Sequence, residues 1–300
     1  MEDNYKYTIM NKEKLADSIY LMDIKAPRVS RNCYPGQFII LKMDEKGERI
    51  PLTICDYNRE AGTVTIVFQA IGSSTKRMAE YEIGDAFQDF TGPLGHRSVL
   101  IDMPKEELSD KKVLFVAGGV GAAPVYPQVK WMKENGYHVD CMIGARSKNY
   151  IILEERIKKY AANVYVCTDD GSYGFNGNVC DCIKDLIHNQ GKQYDIIVAI
   201  GPMIMMKFVC ILTKELGIKT IVSMNPVMVD GTGMCGACRL TVGDEIKFAC
   251  VDGPEFDGHL VNFDEAIKRS QMYKTEEGKA ILRQNERDTH HHPGCECHER

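Results

Sequence analysis

A small antiparallel β-barrel followed by a doubly wound parallel sheet, with a cysteine loop behind it, is the architecture predicted by the 300-residue sequence. Three observations lead there. Over residues 1–104, alternating β-branched runs recur at short intervals, the spacing of a small barrel. Over 105–222 the rhythm changes to apolar strand and amphipathic helix in turn, the pattern of a parallel sheet that takes ligands at its strand ends. Residues 223–262 carry the loop Asp230-Gly231-Thr232-Gly233-Met234-Cys235-Gly236-Ala237-Cys238, answered by Cys250, and residues 263–300 form a helix and tail.

In the first region, strands are expected at Tyr5 to Met10, Ile19 to Ile24, Phe38 to Met43, Thr63 to Phe68 and Ala86 to Phe90, separated by turns such as Tyr34-Pro35-Gly36-Gln37. One helix is evident, from Ser74-Thr75 through Tyr81, with a hydroxyl residue as cap. Two pieces fit a flavin. Arg49-Ile50-Pro51-Leu52-Thr53 sets a guanidinium, a rigid ring and a hydroxyl along one strand, suited to phosphate, ring face and ring edge. Gly72-Ser73-Ser74-Thr75 offers free N–H groups and hydroxyls at a helix start, where a pyrophosphate is stabilised. By themselves, both strings are more often an ordinary strand and an ordinary cap, and Gly92-Pro93-Leu94-Gly95 reads as a turn.

In the second region, Lys112 to Ala117 is a continuous apolar run of buried parallel-strand type, followed by Gly118-Gly119-Val120-Gly121 and a helix from Val125 to Asn135. Further strands are expected at Val139 to Gly144, Val164 to Thr168, Ile196 to Ile200 and Thr220 to Met224, with helices near Leu153 to Ala161, Val179 to Asn189 and Met203 to Leu216. Three loops then fall at strand ends. The glycines Gly118, Gly119 and Gly121 let a dinucleotide pyrophosphate approach a helix start, although the pattern is not a full G-x-G-x-x-G. Asp169 and Asp170 repel a 2′-phosphate and accept from ribose hydroxyls, which favours NAD(H) over NADP(H); their plain role is turn chemistry. Arg146 argues the other way unless it pairs with Glu154 or Glu155. Gly201-Pro202-Met203 ends the fourth strand.

The loop Asp230 to Cys238 has the C-x4-C-x2-C spacing of a plant-type [2Fe–2S] site, with Asp where the first Cys belongs. Asp230, Cys235, Cys238 and Cys250 are the expected ligands; Asp244, Asp252 or another thiolate are alternatives to Asp230. A zinc knuckle, unligated thiols or a disulfide are the plainer readings. Zinc usually takes a second close C-x2-C or His pair, and a disulfide needs an oxidising compartment. Carboxylate oxygen is a harder donor than thiolate, so Asp ligation alters the potential.

Composition narrows the class. A net charge of −5 argues against nucleic acid as a partner. No apolar run reaches the ~18 residues of a membrane span, and the start Met-Glu-Asp-Asn-Tyr is no signal peptide, so a soluble cytoplasmic chain is expected. The 12 cysteines, mostly single within apolar segments, read as reduced thiols plus one metal site.

Taken in order, R-x-P-L-T, G-S-S-T, G-P-L-G, G-G-x-G-x-A-P, D-D-G-S-x-G and G-P-x-x-M resemble the ferredoxin reductase-type flavoproteins. With the cysteine loop behind them, residues 5–265 resemble the electron-transfer subunit of dihydroorotate dehydrogenase B. They resemble still more the small subunit of the electron-bifurcating NADH-dependent ferredoxin:NADP+ oxidoreductases, also called sulfide dehydrogenases, because the dihydroorotate branch is all-Cys where Asp230 stands. The resemblance implies FAD held by Arg49, Pro51, Leu52, Thr53, Gly72, Ser73, Ser74 and Thr75. It implies a nicotinamide dinucleotide at Gly118, Gly119, Gly121, Asp169, Asp170, Gly201 and Met203. Ile200 replaces the Cys usual before Gly-Pro in such reductases. Hydride transfer between the two rings needs no protein acid or base, and Thr53 is the candidate that tunes the flavin. A larger partner subunit with a second flavin and [4Fe–4S] clusters is implied, with ferredoxin reached through it. An electron-transfer subunit for another catalytic partner, and a non-catalytic redox sensor, are the competing readings.

Asn262-Phe263-Asp264-Glu265 has the form of a capping box opening a mixed-charge helix to about Arg283, either solvated or docked on a partner. The end, His290 to His298, is dense in metal-ligand residue types.

Overall fold

The computed structural model describes residues 7–290, with side chains through 283. The first sheet is antiparallel and nearly closed. Its seven strands lie in the order Ala86–Phe87, Tyr7–Ala16, Ile19–Lys25, Thr63–Gln69, Arg49–Asn58, Phe38–Lys42 and Asp89–Leu94. Alternation sets its register. Ile9, Met22, Ile24, Ile39, Leu41, Ile54, Val64, Ile66 and Phe68 turn inward and fill the barrel. The expected helix is Ser73–Ala79, but it is not alone: Pro27–Asn32 is a second, opened by Pro at its first turn, where the missing N–H costs nothing.

The second sheet has seven strands in the order Phe175–Asn176, Asn163–Thr168, Asp140–Ala145, Val113–Gly118, Ile196–Ile200, Lys219–Ser223 and Glu255–Asp257, all parallel except the last. Every residue of Val113–Gly118 is buried, as a strand covered on both faces requires. Helices Ala122–Glu134 and Met203–Glu215 follow the two central strands. The chain leaves Val113–Gly118 toward one edge and returns at Ile196–Ile200 toward the other. That switch in direction opens a crevice above the carboxyl ends of those two strands.

Two expected helices are irregular. The one near Val179 runs as Val179–Lys184 and continues in a π-helical turn, Asp185–Asn189. The one near Leu153 is only Glu154–Lys158. The single C-terminal helix expected from Asn262 is two, Phe263–Arg269 and Lys274–His290. Phe263 and Ala266 anchor the first to the core, whereas residues 271–279 are exposed, so nothing holds the second to the same axis. The His- and Cys-rich segment beyond residue 290 lies outside the described residues. No helix among the described residues is long and apolar enough to cross a membrane.

The barrel and the parallel sheet share a core. Ile19, Leu21, Cys55 and Val67 of the barrel pack with Val125, Val129 and Met132 of the helix behind Gly121. Lys130 of that helix pairs with Asp56 of the barrel at 2.9 Å. Glu255 ties in the third segment: its buried carboxylate accepts from the Ser98 hydroxyl at 3.0 Å, the Val99 N–H at 2.9 Å and the Gln128 amide at 2.8 Å. Burial nonetheless pushes its carboxyl above the usual range, against those bonds.

Candidate functional site

A cavity of ≈ 1410 Å³ runs from the barrel across the crevice of the parallel sheet. Its size exceeds the several hundred to ~1,000 Å³ of a pocket for one small molecule, and it suits two extended ligands. Of the barrel candidates, Pro51, Leu52, Thr53 and Thr75 line it; Arg49, Gly72, Ser73 and Ser74 do not. The Thr53 hydroxyl has no hydrogen-bond partner among the described residues, so it is free for a ligand. The Thr75 hydroxyl is committed, its Oγ1 accepting from the Ile71 and Gly72 N–H groups at 3.1 Å each and donating to the Gly72 carbonyl at 3.1 Å. Ser74 donates to Glu48.

On the sheet side, Gly118, Gly119, Gly121, Asp169 and Gly201 line the cavity, and Asp170 and Met203 do not. The glycines are there for space. A Cβ on Gly121 would stand 2.1 Å from the Ile200 carbonyl oxygen, and one on Gly118 would stand 2.3 Å from Met205 Sδ. This cradle keeps two strand ends close and leaves main-chain groups open to a ligand, which fits a dinucleotide. Asp170 is used by its own turn: its Oδ1 accepts from the Ser172 N–H at 2.9 Å and hydroxyl at 2.6 Å, and these donors hold its carboxyl below the usual range. Arg146 pairs with neither Glu154 nor Glu155, because Lys158 takes both carboxylates at 2.8 Å. It stands in the cavity wall near Tyr150 and Asp169.

Several wall residues carried no signal strong enough to be chosen from the sequence. Met205, two positions beyond the expected Met203, covers Gly118 and Gly201. Pro254, in the cis peptide Gly253-Pro254, and Asn225 and Pro226 close the side toward the cysteine loop. The X-Gly-Pro string at 252–254 was the available clue to Pro254.

The cysteine loop is built by a hairpin. Arg239–Val242 pairs with Glu245–Phe248, and the register Arg239 to Phe248 brings the residues just outside it together. Cys238 and Cys250 therefore meet, Sγ to Sγ, at 3.2 Å, both buried. Burial and the neighbouring Cys238 thiol push the Cys250 thiol up to about 12, a state that a bound cation would reverse. Asp230 instead turns to the main chain at the other cysteine: its carboxylate accepts from the Thr232 N–H at 2.9 Å and the Cys235 N–H at 2.9 Å, which hold it below the usual carboxylate range. Cys235 is exposed. Among the described residues no three His, Cys, Asp or Glu side chains gather for a single ion. Two pairs, Asp230 with Cys235 and Cys238 with Cys250, are what the loop presents, and a two-iron cluster takes its ligands in pairs. The residues thus fit a [2Fe–2S] group better than they fit zinc. Asp244 lies in the hairpin turn and Asp252 accepts from the Phe248 N–H at 2.6 Å.

Arg49 turns out to serve this loop. Its Nε donates to the Val229 carbonyl at 2.8 Å and its Nη2 to the Asp230 carbonyl at 3.2 Å.

Residues 225–262 match the model of the iron–sulfur cluster binding domain of dihydroorotate dehydrogenase B. An uncharacterised protein from the adh 3′ region of Clostridium beijerinckii is 62% identical, covering 97% of this chain and 98% of that protein. A dihydroorotate dehydrogenase B (NAD+) electron transfer subunit homolog from Thermotoga maritima is 44% identical, covering 90% of this chain and 92% of that protein. Among solved structures, a chain of NADH-dependent reduced ferredoxin-NADP oxidoreductase, studied for flavin-based electron bifurcation, superposes with a TM-score of 0.85 at 41% identity, covering 94% of this chain and 99% of that one. On this evidence of sequence, fold and loop, the chain belongs to the family of dihydroorotate dehydrogenase B electron-transfer subunits, built on the ferredoxin reductase-type fold.

Proposed function

We propose that the chain is the NAD(H)-linked subunit of an electron-bifurcating ferredoxin:NADP+ oxidoreductase, carrying FAD and a [2Fe–2S] cluster. The observation that carries this reading is Asp230, a carboxylate held at Cys235 where an all-Cys loop has a thiolate. The 41% identity to a chain of the bifurcating oxidoreductase supports it. When bound, FAD exchanges a hydride with NAD(H) and single electrons with the cluster.

The protein's part is to hold and orient. Pro51 and Leu52 would hold the flavin ring, Thr53 would offer it a hydroxyl, and Gly72, Ser73, Ser74 and Thr75, of which Thr75 lines the cavity, would receive its pyrophosphate. Arg49 keeps N–H donors for that phosphate while two others hold the cluster loop. Gly118, Gly119, Gly121 and Gly201 admit the nicotinamide dinucleotide, with Asp169 at its ribose and Met203 behind. Asp170 sets the turn that aims Asp169. Asp230, Cys235, Cys238 and Cys250 ligate the cluster. A larger subunit with a second flavin and [4Fe–4S] clusters exchanges those electrons with this chain and, in turn, with ferredoxin.

Anaerobic affinity purification of the chain from its host, with mass spectrometry of what accompanies it, tests this. A flavin and [4Fe–4S] partner is expected. A partner with an FMN barrel instead would establish the second reading, service to a dihydroorotate dehydrogenase, which the match over residues 225–262 favours.

A further inference from the structure

Arg269 ends the helix Phe263–Arg269 and is half-buried against the cluster loop. Its Nη2 donates to the Ala237 carbonyl at 3.3 Å, between Cys235 and Cys238. Its Nε is buried and has no partner, alone in this among side-chain nitrogens and oxygens of the described residues. The acids on its own helix are used elsewhere. Asp264 pairs with Lys207 at 2.6 Å, and Glu265 accepts the Thr241 hydroxyl at 2.6 Å. A half-buried guanidinium with an orphaned donor and no counter-ion costs stability unless an anion stands near it. The anions at hand are the loop's own donors, three thiolates and a carboxylate once a metal group is bound.

We propose that Arg269 is a positioning residue of the [2Fe–2S] site, one that also raises the reduction potential of the cluster. It fixes the Cys235 to Cys238 turn through the Ala237 carbonyl, as Arg49 fixes the start of the loop through Val229 and Asp230. Its unpaired charge favours the reduced form, because the added electron makes the group more negative beside a cation that pairs with no acid among the described residues. In a chain that hands electrons between a flavin and this loop, that bias makes transfer toward the loop more favourable. The inference rests on the cluster reading of the loop given above.

The test uses the full chain, purified anaerobically as wild type, Arg269→Gln and Arg269→Lys. Iron content, iron loss to a chelator and a potentiometric titration followed by electron paramagnetic resonance are read on each, with flavin absorbance as the check on folding. Arg269→Gln is expected to lower the cluster potential and to lose iron faster than wild type. Arg269→Lys is expected to recover most of the potential while holding the loop less tightly, since it keeps the charge and loses the planar fork. If Arg269→Gln retains no cluster, retention in Arg269→Lys still supports the inference. Wild-type potential and iron loss in Arg269→Gln would overturn it, as would equal shifts, or equal loss of the cluster, in both variants. Wild type without iron or a paramagnetic signal would instead overturn the cluster reading itself.

Discussion

The strand-end crevice and the cluster loop are both rich in glycine, for different reasons. Gly118 and Gly121 have ordinary negative φ values, −105 and −58, and are required because side chains there would strike Met205 and the Ile200 carbonyl. Gly236 of the loop has φ +67 and nothing nearer than Phe248 Cε1 at 3.8 Å to a Cβ. Gly118 and Gly121 are needed for closeness and Gly236 for handedness, while Gly119 of the crevice, at φ +55 with open space around it, and Gly231 of the loop, at φ +76 with Ile40 Cδ1 2.6 Å from a Cβ, cross that division.

Substitutions can break this contrast at either end. The largest effect is expected from Cys250→Ser, which removes one of the buried thiol pair: iron analysis should find the cluster lost, with flavin and dinucleotide binding intact. Gly121→Ala comes next. A methyl 2.1 Å from a main-chain oxygen forces the two central strand ends apart, so NADH should no longer bleach the flavin. Denaturant unfolding should show a loss of roughly 1–3 kcal/mol, the usual cost of overpacking. Gly236→Ala should cost only about 1–2 kcal/mol of left-handed strain, and Gly236→Asn less, because Asn tolerates that conformation. A Gly236→Asn variant worse than Gly236→Ala would mean that space, not handedness, selects the residue.

Smaller still is the effect at Glu255, which joins the two regions. Its folded pKa lies above the ordinary 4.5, so the folded chain binds this proton more tightly than the unfolded one. The stabilisation is fully present below about pH 4.5 and is lost as pH rises through the folded value. Glu255→Gln imitates the protonated acid and should flatten the dependence of stability on pH in that window, as unfolding midpoints across pH would record. The least change is expected from Asp170→Ala, which opens a surface turn and should leave iron content unaltered.

The barrel and the parallel sheet were readable because their patterns are periodic: alternation in Ile19 to Ile24, an unbroken apolar run in Lys112 to Ala117. The candidate site was legible where chemistry and spacing coincide: Gly118, Gly119 and Gly121 line the cavity, and Asp230 and Cys235 meet in one loop. What escaped was set by contacts distant in sequence. Arg49 reads as a phosphate ligand on its strand, and nothing there announces the bonds that its guanidinium also makes to Val229 and Asp230, some 180 residues on. Met203 was chosen for its closeness to Gly201-Pro202, and the contact of Met205 with Gly118, which helical geometry sets, was missed beside it. Glu255 and Arg269 show no local pattern at all; only the packed structure reveals one buried among three donors and the other with a donor unspent.

The central claim is that this chain joins a hydride-accepting flavin to a one-electron cluster. An anaerobic NADH titration of the full chain, followed at once by visible absorbance and electron paramagnetic resonance, tests it most directly. Flavin bleaching is expected together with a paramagnetic [2Fe–2S] signal that Cys250→Ser abolishes. Bleaching of the flavin in iron-replete protein with no such signal, at any ratio of NADH, would contradict it.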